Sequence, residues 1–370
     1  MGASSFFVAV HVGAGHHSQA LEQQYKQTMV QACYAAAGHS PLTLQDRLHT
    51  VAEVIAVLED APHVNAGNGS NLTESGVAEC DASIMADSAF GSCGAVRGCQ
   101  NPIRLAEAIA CQSLVAQPLG RVPPIFLVGS GARQWALKHQ VPVAATAVEA
   151  DRMHVTKAAK RKWQSDEVAI DADSSLHDTA GCIFVDSAGQ MAAGVSSGGI
   201  ALKVDGRIGE AAMHGCGCWA SSSSGRGQAS VACSVTGVGE PVMRTGLARS
   251  CCQRLQAEPD ESVDAICSAA IDEAVTAAAD MGPDIPKDFG IIAARAAQGQ
   301  QAPSDRTVSV LNVEFAAVHS ARSLGFAYLD QAGEQMPTAC ILRQTAPGSH
   351  RTNLAMAAYH TSWVLPVESN

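Results

Sequence analysis

Aromatic side chains are scarce in this sequence: Phe, Tyr and Trp together make up 4% of 370 residues. Single-stranded nucleic acid is bound on aromatic stacking faces, so this poverty argues against such a platform. Charge is also sparse, at 16%, and the net charge is −11, which excludes a general phosphate-binding surface. No apolar run approaches the ~20 residues of a spanning helix, so no membrane partner is expected. The N-terminus lacks a basic segment followed by an apolar stretch, so no secretory signal is expected. Zinc-type CxxC pairs are missing too, although there are 13 cysteines. The count is odd, and the expected state is reduced, small, buried thiols. His11, His16 and His17 cluster in sequence without a carboxylate partner, so neither a metal nor a cofactor is expected.

What the chain does have is apolar bulk, 47% of it, enough for one large core. "FFVAVHV" (6–12) is a buried-strand run that feeds the glycine turn "GAG". Helical patterns follow over 18–37 and 43–60, the second with the N-cap signals Thr43 and Asp46. "ECDASIMAD" and "CGAVRGC" read as short strands, 102–117 as a helix opening at Pro102, and 124–129 as a strand. Residues 145–178 lose apolar periodicity and read as a flexible linker carrying the basic run "KAAKRKWQ". Beyond it, strands are expected at 182–186, 190–195, 229–236, 289–294, 307–315 and 323–329. Helices are expected near 240–256 and 261–279, and a loop at 296–306. This grouping suits an α+β architecture with sheets inside and helices outside.

The chemistry concentrates in "SLHDTAGCIFVDSAGQMAAGVSSGGIALKVDGRIGE" (175–210). A hydroxyl, Thr179, stands at the mouth of a strand. If the chain is cut between Asp178 and Thr179, that residue carries a free α-amine beside its own hydroxyl. An α-amine titrates near pH ~8, so it can accept the hydroxyl proton without a histidine. Ser197, at the far end of the paired strand, is placed to bond the Thr179 oxygen or amine. Thr236 and Gly237, in "SVTGVGE", offer a second hydroxyl and a backbone N–H for an oxyanion. Arg207 supplies a planar fork suited to a carboxylate.

The segments "TAGCIFVDSAGQMAAGVSSGGIALKVDGRIGEAAMHGCGCWA" and "VTGVGE" resemble the plant-type asparaginase and glycosylasparaginase family of N-terminal nucleophile hydrolases. "HVGAGHHS", "NAGNGSNLTESGVAECDASIM", "GRVPPIFLVGSGA" and "CGCWA" resemble its protease branch, the threonine aspartases, and the likeness runs from about residue 6 to 330. The resemblance implies a four-layer αββα sandwich, made as one proenzyme domain over 1–370. It implies self-cleavage into an α subunit (1–178) and a β subunit (179–370), with the processed αβ units paired as a homodimer. It assigns Thr179 as nucleophile, Ser197 as its supporting hydroxyl, Thr236 and Gly237 as the second hydroxyl motif, and Arg207 as carboxylate reader. Gly13, Gly15 and Asn65 fall in its glycine and "NAG" loops beside the substrate.

Asparaginases of this type hold the substrate α-amine with an Asp three residues after the Arg; Glu210 stands there in this chain. Glu is one methylene longer, which reads as a weakened grip on an amine. Asp178 precedes the nucleophile where asparaginases carry Gly, and Ser197 replaces their Thr. These departures point to a threonine endopeptidase that cuts protein substrates after Asp, the alternative being an asparaginase or isoaspartyl dipeptidase. His177 and Leu21 depart from the protease branch, where an aliphatic residue and a Lys are expected. Lys157, Lys160, Arg161 and Lys162 resemble that branch's import signal, which implies a nuclear and cytoplasmic location and targets among nuclear regulators of transcription.

Overall fold

The run FVAVHVGAG forms β1 (Phe7–Gly15), buried along its whole length. Its side chains alternate between two separate cores: Val8, Val10 and Val12 enter one, Phe7 and Ala9 the other. A strand whose two faces are both apolar must be covered on both sides. The computed structural model describes residues 5–37, 43–164, 179–223, 228–301, 308–332, 336–344 and 354–364.

In chain order, β1 is followed by α1 (Glu22–Ala36), α2 (Leu44–Glu59), β2 (Cys80–Ala86), β3 (Ala89–Val96), α3 (Pro102–Ser113), β4 (Phe126–Val128) and α4 (Gly129–Lys138). Next come α5 (Ala147–Arg152), α6 (Lys157–Gln164), β5 (Ala180–Val185), β6 (Met191–Ser197), β7 (Cys218–Ser221) and β8 (Ser230–Gly237). The chain continues through α7 (Gly239–Thr245), α8 (Leu247–Ala257), α9 (Val263–Met281), β9 (Phe289–Gln301), β10 (Val308–His319), β11 (Ser323–Asp330), β12 (Thr338–Arg343) and β13 (Ala355–Val364). Strands and helices are mixed, as an α+β class requires.

Two sheets result. The larger runs β12-β11-β1-β5-β6-β2-β3-β4 and the smaller β13-β10-β9-β8-β7. One core joins the larger sheet to α1, α2 and α3 through Met29, Leu48, Ile55, Ile103 and Phe184. A second lies between the sheets, with Phe7, Ile183, Val195, Ile292 and Phe315. A third joins the smaller sheet to α8 and α9 through Cys252, Ile271, Phe289 and Val318. All 13 cysteines are free; 11 are buried and two, Cys111 and Cys340, half-buried. No helix among the described residues is long and apolar enough to cross a membrane.

Three expectations need correction. Residues 145–164 are not a linker, because they hold α5 and α6; the remainder, 165–178, lies outside the described residues. A capping box between Thr146 and Glu149 starts α5. The charge-dense α6 is docked in part by a ring: Trp163 Nε1 donates to the Glu74 carbonyl at 3.3 Å. At Gly76 (φ +78°) an added Cβ would lie 3.0 Å from that ring. The helix expected over 240–256 is two helices, broken at Gly246 in the left-handed region (φ 57°). Of the loop expected at 296–306, residues 296–301 belong to β9, where Gln301 pairs with Val308 of β10, and 302–306 lie outside the described residues. β7, α4, β12 and β13 were not anticipated.

Glu59, at the end of α2, is fully buried and accepts from the Ile103 backbone N–H at 2.9 Å. Burial pushes its carboxyl up to about 8. A folded-state value above the unfolded one means stability is fullest below the unfolded value and is lost as pH rises through 8. Glu59→Gln keeps an acceptor and removes the charge. The variant should melt higher than the parent at pH 9, by on the order of 4 kcal/mol of stability, with the gap closing toward pH 5. Paired thermal melts check this; a gap independent of pH contradicts it.

Candidate active site

The site grows from the β5–β6 hairpin. Its turn is fixed by Asp186, whose Oδ1 accepts from Ala188 and Gln190 N–H at 2.9 Å each. Arg47 holds the other Asp186 oxygen at 3.3 Å. That turn sets Ala180 opposite Ser196, so the preceding residue, Thr179, falls beside Ser197. β2 runs along the other side of β6 and puts Asp81 opposite Ser197.

Thr179 is 1% exposed. Its Oγ1 lies 3.1 Å from Ser197 Oγ and 3.1 Å from Glu210 Oε1. A hydroxyl has one hydrogen, so it donates to one of these at a time. Ser197 Oγ also accepts the Gly199 N–H at 3.0 Å. The Gly199 carbonyl in turn accepts from two amides, Asn65 Nδ2 at 2.9 Å and Asn71 Nδ2 at 2.8 Å. Lys162 of α6 donates to Asn71 Oδ1 at 3.1 Å. The basic run therefore reaches the loop that orients Ser197, while Lys157, Lys160 and Arg161 stay exposed. Asn65 touches the Gly199 peptide, and so acts on the hydroxyl pair through Ser197.

Glu210 is buried behind Thr179. Burial pushes its carboxyl up to about 7; the Thr179 hydroxyl and Arg207 pull it back, and Asp81 adds to the rise. Asp81 fixes the approach to this loop, with Oδ2 accepting from Gly209 N–H at 2.9 Å and Oδ1 from Ala95 N–H at 2.8 Å. Arg207 makes a two-pronged pair with Glu240: Nε to Oε1 at 2.8 Å and Nη2 to Oε2 at 2.6 Å. The guanidinium is mostly covered and Glu240 is more open, with side-chain exposures of 16% and 39%. A positive and a negative group thus sit side by side.

From the smaller sheet, Thr236 Oγ1 accepts the Ala14 N–H at 3.2 Å, tying β8 to β1. Gly237 has φ 150°, and a Cβ there would lie 2.6 Å from the Asp288 carbonyl oxygen, so glycine alone fits. Gly13 (φ 108°) sits in the irregular step of β1 between His11 and Ala14. Gly15 pairs with Ser323 of β11. His11 and His17 are occupied separately, by Ser234 Oγ and Ser323 Oγ at 2.9 Å each. His11 is fully buried, which drives its ring down to about 3 and keeps it neutral. No group of three or more metal-ligating side chains occurs among the described residues.

Asp178 and His177 lie outside the described residues. Sequence reasoning missed Glu240, Asp81 and Asn71. Asp81 and Asn71 fell inside quoted segments; Glu240 closes "TGVGE", and its only signal was a carboxylate after two glycines.

A family model described as asparaginase matches residues 4–323, and the chain belongs to that family of N-terminal nucleophile hydrolases. The isoaspartyl peptidase/L-asparaginase of Bos taurus is 32% identical over 246 residues, covering 65% of this chain and 74% of the relative. The Homo sapiens protein of the same name gives the same identity and coverage. A probable isoaspartyl peptidase/L-asparaginase 2 of Arabidopsis thaliana is 32% identical over 273 residues, covering 65% of this chain and 78% of the relative.

These relatives overturn the expected endopeptidase cutting proteins after Asp, because they carry the name of the alternative. The physical fault lay in Glu210. Its extra methylene was read as a weakened grip on an amine and weighed toward an endopeptidase, yet the carboxylate at that position is retained. A second one, Glu240, stands against Arg207.

Proposed function

We propose that this chain is a self-processing N-terminal threonine amidohydrolase acting on β-linked aspartyl amides, isoaspartyl dipeptides and L-asparagine. The observation that carries this reading is the Thr179 hydroxyl set 3.1 Å from both Ser197 and Glu210, at the start of β5. The paired charges of Arg207 and Glu240 support the substrate class. A β-linked aspartyl group keeps a free α-carboxylate and a free α-amine. The guanidinium fork suits the first, and the acidic side chains Glu240 and Glu210 suit the second.

In this reading, cleavage between Asp178 and Thr179 gives subunits 1–178 and 179–370 in a four-layer αββα sandwich, and processed units pair as a homodimer. The new α-amine takes the Thr179 hydroxyl proton as Oγ1 attacks the side-chain carbonyl of the substrate. Thr236 and the Gly237 N–H stabilise the oxyanion. The amine departs with a proton, leaving an aspartyl ester on Thr179. Water attacks that ester, releases aspartate and restores the hydroxyl.

The test compares β-aspartyl-leucine and L-asparagine with α-aspartyl-leucine on the matured protein. Release of aspartate from the first two and not from the third is expected. Hydrolysis of the α-linked peptide, or inertness toward both β-amides, contradicts the reading.

A further inference from the structure

We propose that Glu210 is the base that activates Thr179 for cutting the unprocessed chain. The proposal rests on the reading that the chain cuts itself before Thr179. It answers a problem that reading creates. In the uncut chain the Thr179 nitrogen is an amide, and an amide nitrogen cannot accept the hydroxyl proton. The amine that serves the mature enzyme does not yet exist, so another group must take the proton.

The geometry narrows the choice. Two side-chain groups stand within hydrogen-bond distance of Thr179 Oγ1 among the described residues: Ser197 Oγ and Glu210 Oε1, each at 3.1 Å. A serine hydroxyl is not a base near neutral pH. His11 comes near through the Thr179 backbone carbonyl, but burial holds its ring at about 3 and its Nε2 is engaged by Ser234. Glu210 is a carboxylate, 4% exposed, with Oε1 in direct reach of the hydroxyl hydrogen. The longer side chain brings its carboxylate within reach of the nucleophile.

The groups around Glu210 are few. Arg207 lies on its own loop and is paired with Glu240 from α7; Asp81 faces it from β2; Cys216 follows in the next turn. Together with burial they place its carboxyl at about 7. A base with that value is matched to its task at physiological pH.

Oγ1 forms a bond to the Asp178 carbonyl carbon as its proton passes to Glu210. The bond from that carbon to the Thr179 nitrogen breaks, and Glu210 returns the proton to the leaving nitrogen, which becomes the free α-amine. The Asp178 acyl group now sits on Oγ1 as an ester. Water hydrolyses it, leaving the Asp178 carboxylate and a free Thr179 hydroxyl.

The experiment follows conversion of freshly translated full-length chain by intact mass, from pH 5 to 9, for the parent, Glu210→Gln, Glu210→Asp and Thr179→Ala. The parent rate should rise about tenfold per pH unit below 7 and level off above it. Glu210→Gln should be slower by roughly 10²–10⁴-fold and lose the inflection. Glu210→Asp, keeping a carboxylate set back by one methylene, should fall between them. Equal rates for the parent and Glu210→Gln, or a parent profile without an inflection, overturn the proposal. Should Glu210→Gln misfold by circular dichroism, the parent profile and Glu210→Asp still decide. An uncut parent, or a Thr179→Ala chain cut at the same bond, brings down self-processing itself and this proposal with it. A cut parent with uncut Thr179→Ala and unaffected Glu210→Gln rejects the base alone.

Discussion

Thr179→Ala should remain a single chain of 370 residues and lose hydrolysis of β-aspartyl amides by more than ~10³-fold. Both losses have one cause. In the proposed mechanism the substitution removes the oxygen that attacks in the uncut chain and the same oxygen that attacks substrate. Thr179→Ser separates chemistry from packing, because it keeps the hydroxyl and deletes only a methyl. It should therefore process and hydrolyse, more slowly than the parent, since the freed side chain has more rotamers to leave. The two variants are distinguished by gel and by aspartate release on the same preparations. If Thr179→Ala still released aspartate, the nucleophile would be another residue.

The second large effect belongs to Arg207. Its fork is committed to Glu240 by two bonds, of 2.8 and 2.6 Å. In the proposed reading Arg207→Ala leaves a substrate carboxylate without its partner, and it leaves Glu240 without its counter-charge. Such truncations cost about 2–5 kcal/mol. The expected result on matured protein is a fall in kcat/KM of roughly 10²-fold or more, carried mainly by KM. Arg207→Lys keeps the charge and loses the planar fork, so it should rescue only part. An aspartyl amide whose α-carboxylate is replaced by a hydrogen should be hydrolysed equally by the parent and Arg207→Ala. An unchanged KM for L-asparagine in Arg207→Ala would remove the carboxylate-reading role.

The hairpin that carries Thr179 and Ser197 was legible in the sequence for a physical reason. The runs CIFV and MAAGV flank a short turn, and pairing across it leaves little freedom of register. The apolar run of β1 and the N-cap of α2 were legible in the same local way. What escaped is held by distant contacts. Helix α6 has only a short apolar edge, Ala159 and Trp163, and is held through Trp163 and Lys162 by the distant Glu74 and Asn71. β13 pairs along its length with β10, but its alternation of half-buried and exposed residues is faint beside a polar tail.

The site divides along the same line. A hydroxyl at a strand mouth can be read from chain order. The Arg207–Glu240 pair joins positions 33 residues apart, and no spacing rule predicts it. Glu210 shows how a residue can be noticed and misread. From the sequence its length looked like a weakened grip on an amine, and that gave weak support to an enzyme cutting proteins. In three dimensions the same methylene carries the carboxylate to the Thr179 hydroxyl.

The central claim is that Thr179 becomes an N-terminal residue. Intact mass together with N-terminal sequencing of the purified protein tests it most directly. Two fragments are expected, the second beginning Thr-Ala-Gly-Cys-Ile-Phe. A chain still whole after long incubation at pH 8, or a cut at any other bond, would contradict the account.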